Sequence, residues 1–443
     1  MGPRSLPELP AELLYDNDEL ARLPADRLAA RQLELLRPHL RALASDSPYY
    51  RRVLADAGLA PDGLRSVADL VRLPVVRKEE IAARQKAAPP FGDFSTVPRE
   101  QLVRVFVHGQ TYYPFTRRDL DQFVEGAAKA QAAAGPGGPR VVDVTASFNW
   151  VAGGTLALAA ADRLGATVVP GGAGMTDQHI QVLRDLGVTS FGGFPSFVRH
   201  VALRARELGL DPRRDFAVRH LGIGGEVRSD DEKRELGELY GATVTESYGT
   251  TETGLMAAEC SEGGGMHLFG HHVVELLDPE SGEPRPLDQP GEIVATSVLP
   301  REAMPLLRYA TGDVTEGFDL APCRCGRLAP RLRRITGRRG EILRVKGLFL
   351  YPGRVAAALA RVPGAGAFVS VVERRGGADA VTVRVELPPI GEAEAEAARA
   401  RLREAIKATT NLTVDVELVA PGTFPPGSPR AEDRRLVPSP HGA

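Results

Sequence analysis

The chain's three cysteines, Cys260, Cys323 and Cys325, gather around one histidine. Only Ser261 to Met266 separate Cys260 from His267, and Cys323-Arg324-Cys325 follows downstream. Three thiolates and one imidazole are a donor set for tetrahedral Zn²⁺. A closed four-ligand site of this kind stabilises a fold and leaves no open position for catalysis. His271 and His272 are the alternatives to His267 as the fourth ligand. A second group of residues is built for anions. Glu246-Ser247-Tyr248-Gly249-Thr250-Thr251-Glu252 closes a β-rich run. Hydroxyls beside a carboxylate at a strand end suit Mg²⁺ and phosphate oxygens. Gly224-Gly225-Glu226 precedes it, also after an apolar run, and Arg308-Tyr309-Ala310-Thr311-Gly312-Asp313 and Gly337-Arg338 follow.

These residues need a scaffold. The chain has 443 residues, too many for one ordinary core, so a large domain and a smaller one are expected. Residues 18–60 read as helical, and 66–86 as two short helices around Pro74. From about residue 100 short β-rich runs (LVRVFV, VVDVT, ATVVP, VTSFGGFP) alternate with helical segments. That pattern predicts a mostly parallel sheet covered by helices. Residues 266–316 read as antiparallel β structure. The fold class expected is therefore an α/β N-terminal domain over 1–337, with a β-rich subdomain. A small, mobile α+β C-terminal domain over 338–443 follows, and the Pro-rich tail from Pro425 reads as mobile.

Hydrophobic residues make up 43% and charged residues 25%, the balance of a soluble protein. A net charge of −2 gives no field for nucleic acid or an anionic membrane. No apolar run is long enough to span a bilayer, and residues 1–14 lack a secretory core. A cytoplasmic protein is the expectation.

The order of GGE, YGTTE, RYATGD and GR before a small domain resembles the adenylate-forming superfamily. SPYYRRVLADAG, ELLDPESGEP, PLLRYATGD and VKGLFLYPGRV resemble the phenylacetate-CoA ligase branch. That resemblance covers nearly the whole chain. It implies that Gly225 and Glu226 line an adenine pocket, flanked by Tyr248, with Gly249 and Thr250 in the same nucleotide site. It implies phosphate contact by Thr251, Mg²⁺ at Glu252, and the ribose at Asp313 with help from Arg338. It places an acyl pocket at Phe148, Asn149, Trp150, Gly153 and Phe197. Their aromatic rings would grip a flat or apolar acyl group, or serve as ordinary core. Relatives also carry a Cys/His pattern that binds zinc in some members. ATP or AMP, Mg²⁺, and a CoA or phosphopantetheine thiol are the implied cofactors. An aryl or acyl carboxylate or thioester, CoA or an acyl carrier protein, and a second copy of the chain are the implied partners.

Two departures from the family pattern matter. Relatives have a Ser/Thr/Gly-rich loop with a lysine, whose backbone N–H groups cradle phosphates. Here the matching place reads Val107-His108-Gly109-Gln110-Thr111-Tyr112-Tyr113-Pro114-Phe115, shorter, without a lysine and with two tyrosines. Relatives also place a lysine near the C-terminus, against the charge that develops during adenylation. This chain has no lysine after Lys407, and Arg430 stands at the equivalent place. A planar guanidinium does not replace a compact ammonium.

Three readings follow. In the first, the chain activates or transfers an aryl or acyl group to a thiol, with ATP-dependent adenylation impaired or lost and His108 as a general base. The second is a fully working ATP-dependent aryl-CoA ligase. The third is a non-catalytic homologue that binds a ligand or a carrier protein.

Overall fold

The computed structural model describes residues 19–133, 140–226, 230–339, 341, 343–345, 348–375, 378–425 and 428–434. Gly340, Lys346, Gly347 and the tail from residue 435 lie outside the described residues. The chain falls into two compact units. One holds Met1–Glu226, Leu236–Thr311 and Glu316–Arg334, and the other holds Val227–Glu235, Gly312–Thr315 and Ile335–Ala443.

The helical stretch near the N-terminus resolves into Ala25–Asp46 and Pro48–Asp56. Ser47 divides them. Its hydroxyl accepts the Tyr50 N–H at 3.3 Å and donates to the Phe94 carbonyl at 2.7 Å. A hydroxyl at this position satisfies an N–H group that the new helix would leave orphaned. Leu36, Leu40 and Leu43 recur on one face of the first helix and pack with Tyr49, Tyr50, Phe94, Phe106 and Phe115 in one buried cluster. Removing each such side chain from water contributes about 1.5–3 kcal/mol.

The central sheet of the first unit has nine strands. Thr167–Val169, Val141–Val144, Ser190–Gly193, His220–Ile223 and Thr243–Thr250 run parallel in that spatial order. Gly254–Glu259, Met266–Leu268, Arg331–Leu332 and Phe318–Asp319 extend it antiparallel. Helices Arg117–Ala133, Ala152–Arg163, Thr176–Asp185 and Pro195–Glu207 supply the covering layers. A second, antiparallel array takes Pro284–Arg285, His272–Leu277 and Gly291–Ser297.

One expected strand of the parallel sheet belongs elsewhere. LVRVFV contributes Arg104–His108, which pairs only with Thr111–Phe115 as an antiparallel two-stranded sheet. The reason is local. Positive φ at Gly109 and not at Gln110 fits a type II′ turn, whose twist matches that of the flanking strands. The β-rich run Thr-Tyr-Tyr-Pro-Phe follows at once, so pairing back on itself is the shortest closure available.

In the second unit, Asp415–Val419, Ala378–Glu386, Phe368–Arg375 and Ala431–Asp433 form a four-stranded sheet. Helices Pro352–Leu359 and Glu392–Thr410 cover it, and Val355, Leu402 and Ile406 pack with Val372, Val383 and Val385. Part of the stretch expected to be mobile from Pro425 is therefore ordered. Ala431–Asp433 adds a parallel edge strand, and the Ser370 N–H donates to the Arg430 carbonyl at 2.9 Å. Sequence reading missed it because three residues flanked by proline and charge carry no periodicity.

Candidate active site

The Arg104–Phe115 hairpin stands where a phosphate-cradling loop was expected. Its backbone groups are spent on the ladder, as where His108 lies opposite Thr111, or on neighbouring segments, as at Val107 and Tyr112, rather than aimed at a ligand. Gln85, on helix Lys78–Ala87, clamps it from one side. The Gln85 amide donates to the Tyr112 carbonyl at 2.6 Å and accepts the Tyr112 N–H at 2.9 Å. From the other side the Trp150 carbonyl accepts the Val107 N–H at 2.7 Å.

The strand Thr111–Phe115 turns Tyr113 inward, where it is fully buried. The Tyr113 hydroxyl donates to Glu252 Oε1 at 2.7 Å. Burial, and then the Glu252 carboxylate beside it, pushes the phenol far above its usual range, so it stays a donor at any working pH. Glu252 is itself buried, on the turn that ends the Thr243–Thr250 strand. Thr250 Oγ1 accepts the N–H groups of Glu252 and Thr253, both at 3.2 Å. Arg301 donates to the Glu252 carbonyl at 3.2 Å and lies over the Phe123 and Phe115 rings at 4.3 and 5.2 Å. Asp119 stands behind Arg301 at 3.6 Å and accepts the Glu302 and Ala303 N–H groups at 2.9 and 3.0 Å. The carboxylate expected to hold Mg²⁺ is thus fixed by a buried polar assembly, with a tyrosine hydroxyl on one of its oxygens. Tyr113 was visible in sequence as an oversized residue, but its partner was not, because 139 positions separate them.

Tyr248 donates to Thr311 Oγ1 at 3.2 Å. Gly249 sits where a Cβ would lie 2.3 Å from the Gly254 carbonyl oxygen, so only glycine lets the two strands close there. Glu226 accepts from the Ser196 N–H at 3.0 Å and from its hydroxyl at 2.7 Å, which ties Gly225 and Glu226 to the start of helix Pro195–Glu207. In the second unit, Asp313 and Arg338 are cross-strand partners, with Arg338 Nε 3.1 Å from Asp313 Oδ1.

The acyl-pocket residues divide. Phe148 is half-buried against Gly172, and Phe197 is half-buried with its ring edge-on to His179 at 5.6 Å. Asn149 and Gly153 are exposed, and Trp150 is 76% exposed with a positive φ of 65°. His108 is exposed, with Nδ1 3.3 Å from Lys78 Nζ. An ammonium can only donate, so that nitrogen accepts and a neutral ring carries its proton on Nε2. Base catalysis through His108 then requires Lys78 to let go. Arg430 precedes the Ala431–Asp433 strand with its guanidinium carbon 5.6 Å from the Phe368 ring centre.

Cys260, His267, Cys323 and Cys325 converge, each offering one donor atom within 4.8 Å of the others. The sulfurs of Cys260 and Cys323 are 3.9 Å apart, and Cys325 Sγ is 3.5 Å from His267 Nε2. A tetrahedron with standard zinc distances has edges of about 3.8 Å between sulfurs and about 3.5 Å between sulfur and nitrogen. His267 Nδ1 faces the Ala329 carbonyl at 3.3 Å, the outer contact that orients a ligating imidazole. His271 and His272 lie elsewhere: their rings are tilted against each other with centres 4.5 Å apart, and His272 Nε2 faces the Thr253 carbonyl at 3.3 Å.

Residues 118–298 match the AMP-binding enzyme family, and residues 347–434 match the AMP-binding enzyme C-terminal domain. The chain is 32% identical to a phenylacetate-coenzyme A ligase of Thermus thermophilus, over 94% of its own length and 97% of the relative's. It is 30% identical to one from Pseudomonas putida, over 95% and 97%. The solved structure of a 2-hydroxyisobutyryl-CoA ligase in the postadenylation state, bound to R3-HIB-AMP, superposes with a TM-score of 0.85 at 30% identity, covering 95% of this chain and 92% of that one.

Proposed function

The chain belongs to the AMP-binding, adenylate-forming enzymes and is phenylacetate-CoA ligase-like; from that premise we propose that it carries out aryl or acyl thioester chemistry with its adenylation step weakened. The hydrogen bond to Glu252 from Tyr113, which lies on a hairpin closed by two residues, is the observation that carries this reading. A carboxylate that already accepts from a buried hydroxyl at Oε1 has part of its charge engaged and is a weaker ligand for Mg²⁺, which must take the other oxygen or share this one. A ladder-paired backbone has fewer N–H groups to offer phosphates.

The reading assigns Phe148, Phe197 and the surrounding segment to the acyl group, and Gly225, Glu226, Tyr248, Asp313 and Arg338 to a nucleoside. The thiol is CoA or a phosphopantetheine arm. Thr251 would contact phosphate, and Glu252 would hold Mg²⁺, which would neutralise phosphate charge. The donor set Cys260, His267, Cys323 and Cys325 fits structural zinc, by chemistry and by edge lengths.

A second reading, a working ATP-dependent aryl-CoA ligase, is favoured by the relatives named above, which match across almost the whole chain. ATP–pyrophosphate exchange with a panel of aryl acids decides between them. Losing one preorganised electrostatic contact typically costs about 10²–10³ in rate. Exchange slower than that of the Thermus relative by at least that factor is expected, together with acyl transfer from phenylacetyl-CoA to an added thiol. Exchange at the relative's rate would sink the proposal and leave the working ligase.

A further inference from the structure

Beneath the proposed acyl pocket lies a buried pair that the reading above does not use. Asp143, on strand Val141–Val144, places Oδ2 2.6 Å from Nδ1 of His179, on helix Thr176–Asp185. The other ring nitrogen, Nε2, lies 3.0 Å from the Gly172 carbonyl. Both side chains are almost entirely shielded from solvent.

The proton count is fixed by the partners. A carbonyl oxygen only accepts, so His179 Nε2 carries a proton. The short contact between Nδ1 and the carboxylate holds a second. Two protons on this pair make it an imidazolium–carboxylate couple or its neutral tautomer, charge-neutral overall in either form. Burial works against the charged imidazole, but the bond to Asp143 outweighs it and raises the His179 pKa. Removing one partner of such a buried pair strands the other.

The pair touches one of the aromatic residues assigned to the acyl group and is linked to the other through Gly172. His179 meets Phe197 directly, ring edge to ring face at 5.6 Å. Through Gly172 it reaches Phe148: a Cβ at Gly172 would lie 3.5 Å from the Phe148 ring. The Gly172 N–H is tied to the Val144 carbonyl at 2.8 Å, so the turn is held from above and below. Its backbone is unusual, with positive φ at Gly172, Gly174 and Met175. A Cβ at Gly171 would come within 2.4 Å of His179 Cε1 and 2.7 Å of Asp143 Oδ1, so the pair fits only against a glycine. This turn follows strand Thr167–Val169 at the carboxyl ends of the parallel strands, where open α/β sheets bind their ligands.

We propose that the His179–Asp143 pair is the positioning device for the aromatic wall of the acyl pocket, setting Phe197 directly and Phe148 through the Gly172 turn, and so selects aryl over small acyl groups. The proposal rests on the acyl-pocket reading above. Neither residue touches the acyl group; both act through the two phenylalanines.

Calorimetric titration of the full chain with phenylacetyl-CoA, acetyl-CoA and AMP tests it. Asp143→Asn is nearly isosteric, and His179→Gln keeps an N–H for the Gly172 carbonyl. Each is expected to lower the preference for phenylacetyl-CoA over acetyl-CoA by about tenfold or more, the range that pocket contacts supply. Affinity for AMP and acetyl-CoA should stay within about twofold. If either folded variant keeps the wild-type ratio, or loses all three ligands together, the proposal is overturned. If Asp143→Asn does not fold, His179→Gln decides alone. A wild-type protein that binds AMP but shows no preference for the aryl thioester removes the acyl-pocket reading, and the proposal with it.

Discussion

Cys323→Ser is expected to release one equivalent of zinc per chain and to lower the Tm on the order of 10 °C. Cys260 and Cys323 are 63 positions apart, so a shared ion closes a long loop. It ties the turn from Cys323 to Arg327 against the end of strand Gly254–Glu259. Loss of such a link restores conformational freedom to the unfolded chain and leaves two thiols and an imidazole without their ion. Metal analysis of the purified protein and a thermal melt check this. A wild-type protein with no bound zinc and three thiols that titrate freely under native conditions would refute the assignment.

Acid should unfold the protein early. Burial, and then Arg301 nearby, pulls the His39 pKa down to about 3. Burial pulls His272 down to about 4, and His271, with His272 beside it, well below the usual range. The folded state therefore holds these rings neutral, while the unfolded chain protonates them near pH 6.5. Their contribution is fully present above that pH and is lost as pH falls towards 4. Each ring removes about 1.4 kcal/mol per pH unit within that window. His179 does not offset the loss. Its pKa is raised, so its contribution is already complete below pH 6.5 and declines only as pH rises through the folded value. Melts between pH 7.5 and 5 should show a steep decline, and His39→Gln should flatten it. A Tm independent of pH across that range would contradict the burial of these rings as neutral groups.

Much of this was legible in sequence because periodicity and rare residues carry strong signals. VVDVT, ATVVP and VTSFGGFP each contribute a strand of the parallel array, as their short β-rich form predicted. The four metal-type donors stood out because cysteine is so scarce in this chain. What was hidden depended on pairing. LVRVFV has strand character, but nothing in those letters says whether its partner is the central sheet or the next five residues. The hairpin choice comes from a two-residue turn, which also reads as the remnant of a glycine-rich loop. The Asp143–His179 contact joins residues 36 positions apart on a strand and a helix, and each alone looks like an ordinary polar residue. Gln85 gave no signal either, since an amide in a charged helix resembles any solvated position until its backbone partner is known.

The hairpin also has an optical consequence. Trp150 is the chain's sole tryptophan, and its carbonyl is bonded to the hairpin while its indole projects into water. Tryptophan fluorescence, excited beyond the tyrosine absorption band, therefore comes from one place. Emission should be that of a hydrated indole and should be quenched readily by iodide. Anything that settles on the hairpin, or lifts it off the Trp150 segment, will change the colour or the quenching of a signal with no second tryptophan behind it. The protein thus carries its own reporter at the point where its nucleotide chemistry is in question.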